Sequence, residues 1–233
     1  MQLSIALSVL SLLSTTAAQT NVHFGPFFSL GPTKSWIREA TTTLVLPRVP
    51  GQKDRLALWP GMGTSAGSLI QALAVSFADP RRECGGQPGQ WCTFASTLQG
   101  TQLGGERKIP ASPGARMTIH YVYNDATKKY DQSVALDGRV VSTLSTIKLT
   151  RTASGHAEGW GTAVECQDAA CVGTMAAHVD YLDTTIILDR ADPTFGRTLG
   201  LNQATSSGLS SPDGGKTWVV KKISHKAFTF NFP

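Results

Sequence analysis

The segment between Arg116 and Thr146 leaves the chain least freedom. In Arg116-Met117-Thr118-Ile119-His120-Tyr121-Val122-Tyr123-Asn124, the large side chains Met117, Ile119, Tyr121 and Tyr123 alternate with Thr118, His120 and Asn124. That is the period-two pattern of a strand with one buried face. Asn124-Asp125-Ala126-Thr127 turns this run into a second one, 130–136, and Asp137-Gly138 turns that into a third, 140–146. Asp-Gly between two alternating runs signals a hairpin, because both central residues of the favoured two-residue turn need positive φ. Three consecutive antiparallel strands result, and such a meander needs a second layer on which to bury its apolar face.

The rest of the chain has the same grain. Thr41 to Leu46 is β-branched and closes at Pro47, and Trp91 to Leu98 alternates large and small residues. Leu56 to Gly63 and Ser68 to Ser76 are two apolar runs around a small-residue turn. Thr184 to Leu188, Trp218 to Val220 and Ala227 to Phe232 supply further strands. Turn chemistry at Val49 to Gln52, Asp79-Pro80, Pro88-Gly89, Pro110 to Gly114 and Asp192-Pro193 separates them. Residues 79–90 read as a loop. Residues 19–40, with Phe24, Phe27, Phe28 and Trp36, show no period and are expected to cover the rim of the core. Residues 157–176 read as a loop-bearing segment rich in carboxylates, with Glu158, Glu165 and Asp168. Short strands separated by turns, with no long amphipathic helix, predict an all-β, two-sheet antiparallel sandwich. No repeat or linker interrupts residues 19–233, which read as one domain.

Leu3 to Leu13 is an apolar run followed by Ser14-Thr15-Thr16-Ala17-Ala18, which predicts a signal peptide over residues 1–18 and a secreted, extracellular product. The run is shorter than the roughly 20 residues that span a bilayer, so no membrane association is expected after cleavage. The net charge is +5, but Arg81-Arg82, Lys128-Lys129 and Lys221-Lys222 are only pairs. Without a basic stripe or a known motif, nucleic-acid binding is excluded as a function class. Four cysteines allow three connectivities; in an oxidising compartment the local pairs Cys84–Cys92 and Cys166–Cys171 are the simplest. The spacings lack paired C-x-x-C, and His156 and His178 sit at no ligand spacing, so neither metal nor cofactor is expected. A monomer is expected.

One residue stands out for chemistry. Gln71 is an amide within Leu69-Ile70-Gln71-Ala72-Leu73-Ala74-Val75, among residues that favour burial. A buried amide must find hydrogen-bond partners or be presented in a groove. No G-x-S-x-G elbow, phosphate loop or H-E-x-x-H occurs, and no serine sits in a telling context beside His120, His156 or His178. Two facing carboxylates could hydrolyse a glycoside, but Glu158 and Glu165 have odd sequence separation and would point to opposite faces of a regular strand. A carboxylic acid can instead work with an amide. The acid activates water as a general base, while the amide N–H stabilises the developing oxyanion. Gln71 and Glu158 are the candidates.

These residues carry a resemblance. Trp59, a turn, and Leu69-Ile70-Gln71 resemble the Trp…(I/L)-L-Q segment of the fungal glutamic peptidases, the eqolisins. Ala157-Glu158 shortly before Cys166 resembles the dipeptide that bears the family's catalytic Glu, and Thr41 to Pro50 resembles its T-x-x-x-x-V-P strand. The likeness runs from about residue 41 to 190. It implies a concanavalin A-like jelly-roll sandwich and a secreted hydrolase whose Gln/Glu pair activates water at acid pH. The family has an aspartate four residues after its Gln, where this chain has Val75, and an acid in its next strand, where Trp91-Cys92-Thr93-Phe94 has none. The chain also resembles a broad group of secreted fungal proteins through Trp59-Pro60-Gly61, Gly159-Trp160-Gly161-Thr162 and Glu165-Cys166. Two other readings stay open. One is a non-catalytic module that binds a peptide, glycan or small molecule in its concave sheet, with exposed Trp59, Trp91 and Trp160 as stacking platforms. The other is a sandwich that acts on a pathway-specific small molecule oriented by Gln71.

Overall fold

A computed structural model describes residues 22–50, 55–105, 107–146, 155–167, 171, 173 and 175–231. The expected signal segment and Asp168 lie outside the described residues. In the first half of the chain, β1 spans His23–Leu30, β2 Ile37–Val45, β3 Leu56–Thr64 and β4 Leu69–Ser76. A one-turn helix, α1, spans Pro80–Cys84, followed by β5 Trp91–Gln99, β6 Thr101–Gly104, β7 Ile109–Ala111 and β8 Arg116–Asn124. Then come β9 Lys129–Leu136, β10 Arg139–Ser145, β11 Ala157–Cys166, β12 Met175–Ala176 and β13 Val179–Leu188. The chain closes with β14 Gly200–Asn202, β15 Ala204–Ser206, β16 Thr217–His225 and β17 Phe228–Thr229.

Apart from the short pair β12-β17, the strands form two antiparallel sheets. One runs β14-β1-β11-β3-β4-β5, with β6 and β7 on the outer side of β5; the other runs β10-β9-β8-β2-β13-β16-β15. Among the described residues they touch through the ladder only at one corner, where Ala157 pairs with Ile37. The apolar core lies between them. Leu58, Met62, Ile70 and Trp91 enter it from the first sheet, and Ala40, Leu44, Ile119, Tyr121, Val134 and Ile186 from the second. Two sheets that each bury one face against the other, with neighbours non-consecutive in sequence such as β11 between β1 and β3, make a jelly-roll sandwich.

The meander forms as the alternation requires. Met117, Ile119 and Tyr121 are fully buried, and the Asp137-Gly138 turn has both residues at positive φ, 48° and 86°. Residues 79–90 differ from the expected loop. Asp79 caps α1 by accepting the Arg82 backbone N–H, Pro80 opens it and Gly85 closes it at positive φ. The signals read as breakers are thus also those of a helix start and stop. Both disulfides are the local pairs, Cys84–Cys92 and Cys166–Cys171, and the first fastens α1 to β5. Residues 157–166, expected within a loop-bearing segment, form β11, a central strand, and residues 23–30 form β1 beside it. Among the described residues no helix is long and apolar enough to cross a membrane.

Asp192 locks the corner. Its side chain, 4% exposed, accepts from Thr33 Oγ1 (2.9 Å), Lys34 N (2.8 Å), Thr194 N (3.0 Å) and Thr194 Oγ1 (2.6 Å). Burial alone would push this carboxyl up, but the four donors outweigh it and bring it down to about 2. A depressed carboxylate contributes stability above its unfolded value near 3.8 that is lost as pH falls toward 2. Asp192→Asn is expected to lower stability by about 2 kcal/mol at pH 7 and to flatten this acid limb. Urea denaturation at a series of pH values checks both.

Candidate active site

Register places the candidate residues on the outer face of the first sheet, away from the core. Leu58 and Met62 of β3 face the core, so Trp59 and Gly61 face outward, as do Gln71, Leu73 and Val75 of β4. A row of directly paired residues then crosses the sheet: Gly200, Ser29, Gly161, Gly61, Gln71, Ser96 and Gly104. Gln71 carries the one long side chain in this row. It is 4% exposed, and its amide makes no hydrogen bond to any described residue. Of the two possibilities for a buried amide, a satisfied network or presentation in a groove, the first is not formed among the described residues.

The glycines are dictated by close approach. A Cβ on Gly161 would lie 2.8 Å from the Phe28 carbonyl oxygen, and one on Gly61 would lie 3.3 Å from the Gln71 Cβ. The next row along pairs Gly159 with Gly63 and Gly63 with Leu69. Gly61, Gly63, Gly159 and Gly161 therefore make a bare floor between β4 and the start of β11.

Glu158 stands at the edge of that floor, put there by a β-bulge. Ala157 pairs with Thr64 and Gly159 with Gly63, so one extra residue, Glu158, is inserted into β11. Regular alternation from Glu165 would send position 158 into the core. The bulge gives that place to Ala157, which is fully buried, and leaves Glu158 half-buried beside Gly159. The regular-strand expectation for Glu158 and Glu165 therefore does not apply, because the bulge breaks the alternation at Glu158. Three contacts hold the bulge: Thr33 N–H donates to the Glu158 carbonyl (2.8 Å), Ala157 N–H to Tyr130 Oη (3.0 Å) and Ser65 N–H to the His156 carbonyl (3.0 Å). Because Thr33 is held by Asp192, the buried lock of the corner also sets the backbone of Glu158. The Glu158 carboxylate itself has no hydrogen-bond partner among the described residues.

Glu165 has a different role. It is 5% exposed, accepts from Trp59 Nε1 (2.8 Å) and Gln167 Nε2 (2.9 Å), and burial pushes its carboxyl up against these two bonds. It fixes the Trp59 ring, which also meets Phe24 edge-on at 6.5 Å. The three tryptophans are not exposed platforms. Trp91 and Trp160 are core side chains, the first donating to the Pro47 carbonyl (2.8 Å) and the second packed on Phe28. Trp59 faces outward but is 4% exposed. Strand parity sends Trp91 and Trp160 inward, and Glu165 with Phe24 covers Trp59.

Beyond Gln71 the same face opens into a groove of about 1080 Å³ over Leu73, Val75 and Phe94, walled by α1 and the segment before β7. No pattern in the sequence marks this groove, because its floor and its walls are far apart in the chain.

No protein-family model matches the chain, and no curated protein matches it at a significant level. Among solved structures it is similar to scytalido-glutamic peptidase bound to a peptide-based transition-state analogue, with a TM-score of 0.52 and 13% identity over 86% of this chain and 99% of that one. It is similar, at a TM-score of 0.52 and 13% identity, to SCP-B, a member of the eqolisin family of peptidases in complex with the tripeptide Ala-Ile-His, over 89% of this chain and 100% of that one. At this identity the likeness is one of fold, and it extends over nearly the whole of both chains.

Proposed function

We propose that the protein is a secreted, glutamic-peptidase-like hydrolase that cleaves a peptide bond on the outer face of its first sheet. The observation that carries this reading is the isolated Gln71 amide, buried and unpartnered, across a glycine floor from the bulged Glu158. Glu158 as carboxylate takes a proton from water, and the water oxygen attacks the scissile carbonyl carbon. The Gln71 side-chain N–H donates to the oxyanion that forms, and Glu158 returns the proton to the leaving amine as the C–N bond breaks. The glycines leave room for the substrate backbone over the sheet. Resemblance to the eqolisins in the Gln and Glu segments and similarity of fold both support the assignment. The apolar leader-like run and two disulfides support secretion.

Val75 and Phe94 favour a second reading. Val75 stands where the family has its aspartate and Phe94 belongs to a run without the family's acid, so the floor beyond Gln71 is apolar, which suits a groove that holds a peptide without cutting it. Incubating the mature chain with an acid-denatured protein between about pH 3 and 6 separates the two. Discrete cleavage products are expected, and their absence at every pH, with retention of peptide, would transfer the assignment to the binding module.

A further inference from the structure

The groove beside Gln71 joins an apolar floor to a cationic rim. Ser96 and Gly104 continue the Gln71 row to its edge, so it lies on one side of the Gln71–Glu158 pair, on the same sheet face. Lys108, Arg82 and Arg107 stand around it. Lys108 is already occupied: its Nζ pairs with Glu83 at 2.5 Å and lies over the Phe77 ring at 4.8 Å. Asp79 is occupied as the cap of α1, accepting the Arg82 backbone N–H at 3.2 Å. The Arg82 and Arg107 side chains are both exposed and have no carboxylate partner among the described residues. Two unpaired guanidinium groups over Leu73, Val75 and Phe94 complement a ligand with an apolar group beside an anion, and a guanidinium suits a carboxylate in particular.

We propose that this groove binds the part of a peptide substrate on one side of the scissile bond and selects there for a side-chain carboxylate, Asp or Glu, next to an apolar residue. The identity of the ligand as a peptide rests on the hydrolase reading above; the charge and shape of the groove do not. Exposed ion pairs contribute little to fold stability, but across a binding surface unpaired charges set specificity and association rate.

Peptide sets identical except for Glu, Gln or Lys at each position flanking the cleaved bond test this at about pH 5.5 in low salt. On one side of the bond, Glu is expected to exceed Gln by about tenfold in kcat/KM, a difference of about 1.4 kcal/mol, with Lys below Gln. The Glu-to-Gln ratio should approach one in an Arg82→Gln/Arg107→Gln double variant and at high salt. It should also approach one in the unaltered protein near pH 3, where a peptide Glu with its ordinary pKa of about 4.3 is protonated. Equal kcat/KM for Glu and Gln at every position overturns the proposal while leaving the hydrolase reading intact. If no peptide is cleaved, the same peptides labelled with a fluorophore are titrated by anisotropy. Tighter binding of the Glu peptide that disappears in the double variant supports the groove assignment while the hydrolase reading falls. Equal affinity of Glu and Gln peptides overturns it.

Discussion

Glu158→Gln is expected to lower kcat for peptide hydrolysis by about 10²–10⁴-fold, the range for losing a positioned general base, with KM changed only a few-fold. Gln71→Met keeps the side-chain volume but removes the N–H donor, and should cost about 10²–10³-fold, the range for losing one oxyanion donor. Because the two groups act on one transition state, the double variant should be little worse than the poorer single variant. The structure supplies an internal control. Neither side chain has a hydrogen-bond partner among the described residues, so removing its polar group leaves no donor or acceptor stranded in the protein. Both variants should therefore unfold within a few degrees of the parent while losing activity. Steady-state kinetics with a peptide identified in the cleavage assay, together with thermal unfolding, checks both halves. Unaltered kcat in both variants ends the assignment of this pair.

The contrast between Gln71 and Glu158 shows what a sequence of this kind makes legible. Gln71 was visible because a polar side chain interrupts a strand whose apolar pattern is otherwise unbroken, and the meander was visible because β8 and β9 follow strict alternation. The setting of Gln71 was not visible. The small residues on either side of it come from β14, β1, β11, β3, β5 and β6, which only the sheet order brings together. Strands β1 and β11 were hidden for a related reason. Register shifts between Phe24 and Phe27 and at Glu158 break the period, and Gly159 and Gly161 remove the side chains that would have marked a face. Tryptophan burial differs from the expectation because a large aromatic reads the same in either direction until parity is anchored to the core. Val75 and the acid-free 91–94 run set this chain apart from the eqolisin pattern it resembles, and Val75 and Phe94 line the groove that the arginines overlook.

Acid pH, which the proposed chemistry favours, should work against the fold through His225. This residue ends β16 with its ring fully buried between the sheets. Nε2 shares a 2.9 Å hydrogen bond with Thr162 Oγ1, Nδ1 has no partner among the described residues, and Tyr181 packs against the ring at 5.3 Å. Burial, aided by the charge of His178 and opposed by Asp180, holds the imidazole down to about 3 from an ordinary 6.5. A base whose folded pKa lies below its unfolded value binds its proton in the unfolded chain first. Its cost is absent above about pH 6.5 and grows as pH falls toward 3. At pH 4 the loss is on the order of 3 kcal/mol relative to pH 7. Glu165 acts in the opposite sense, because a buried carboxyl with a raised pKa is relieved by protonation. Asp192 contributes mainly below pH 4, so between pH 6.5 and 4 the fall from the histidine runs against the opposing rise from Glu165, and comparison with a variant lacking only the imidazole separates the two. His225→Phe should therefore flatten the fall in unfolding free energy between pH 7 and 4, whatever its effect at neutrality; an unchanged slope would exclude His225 as the source. Thr162, the partner of His225, adjoins Gly161 in the glycine floor. Because less of it unfolds at pH 4, the flattened variant should retain hydrolysis for longer there than the parent.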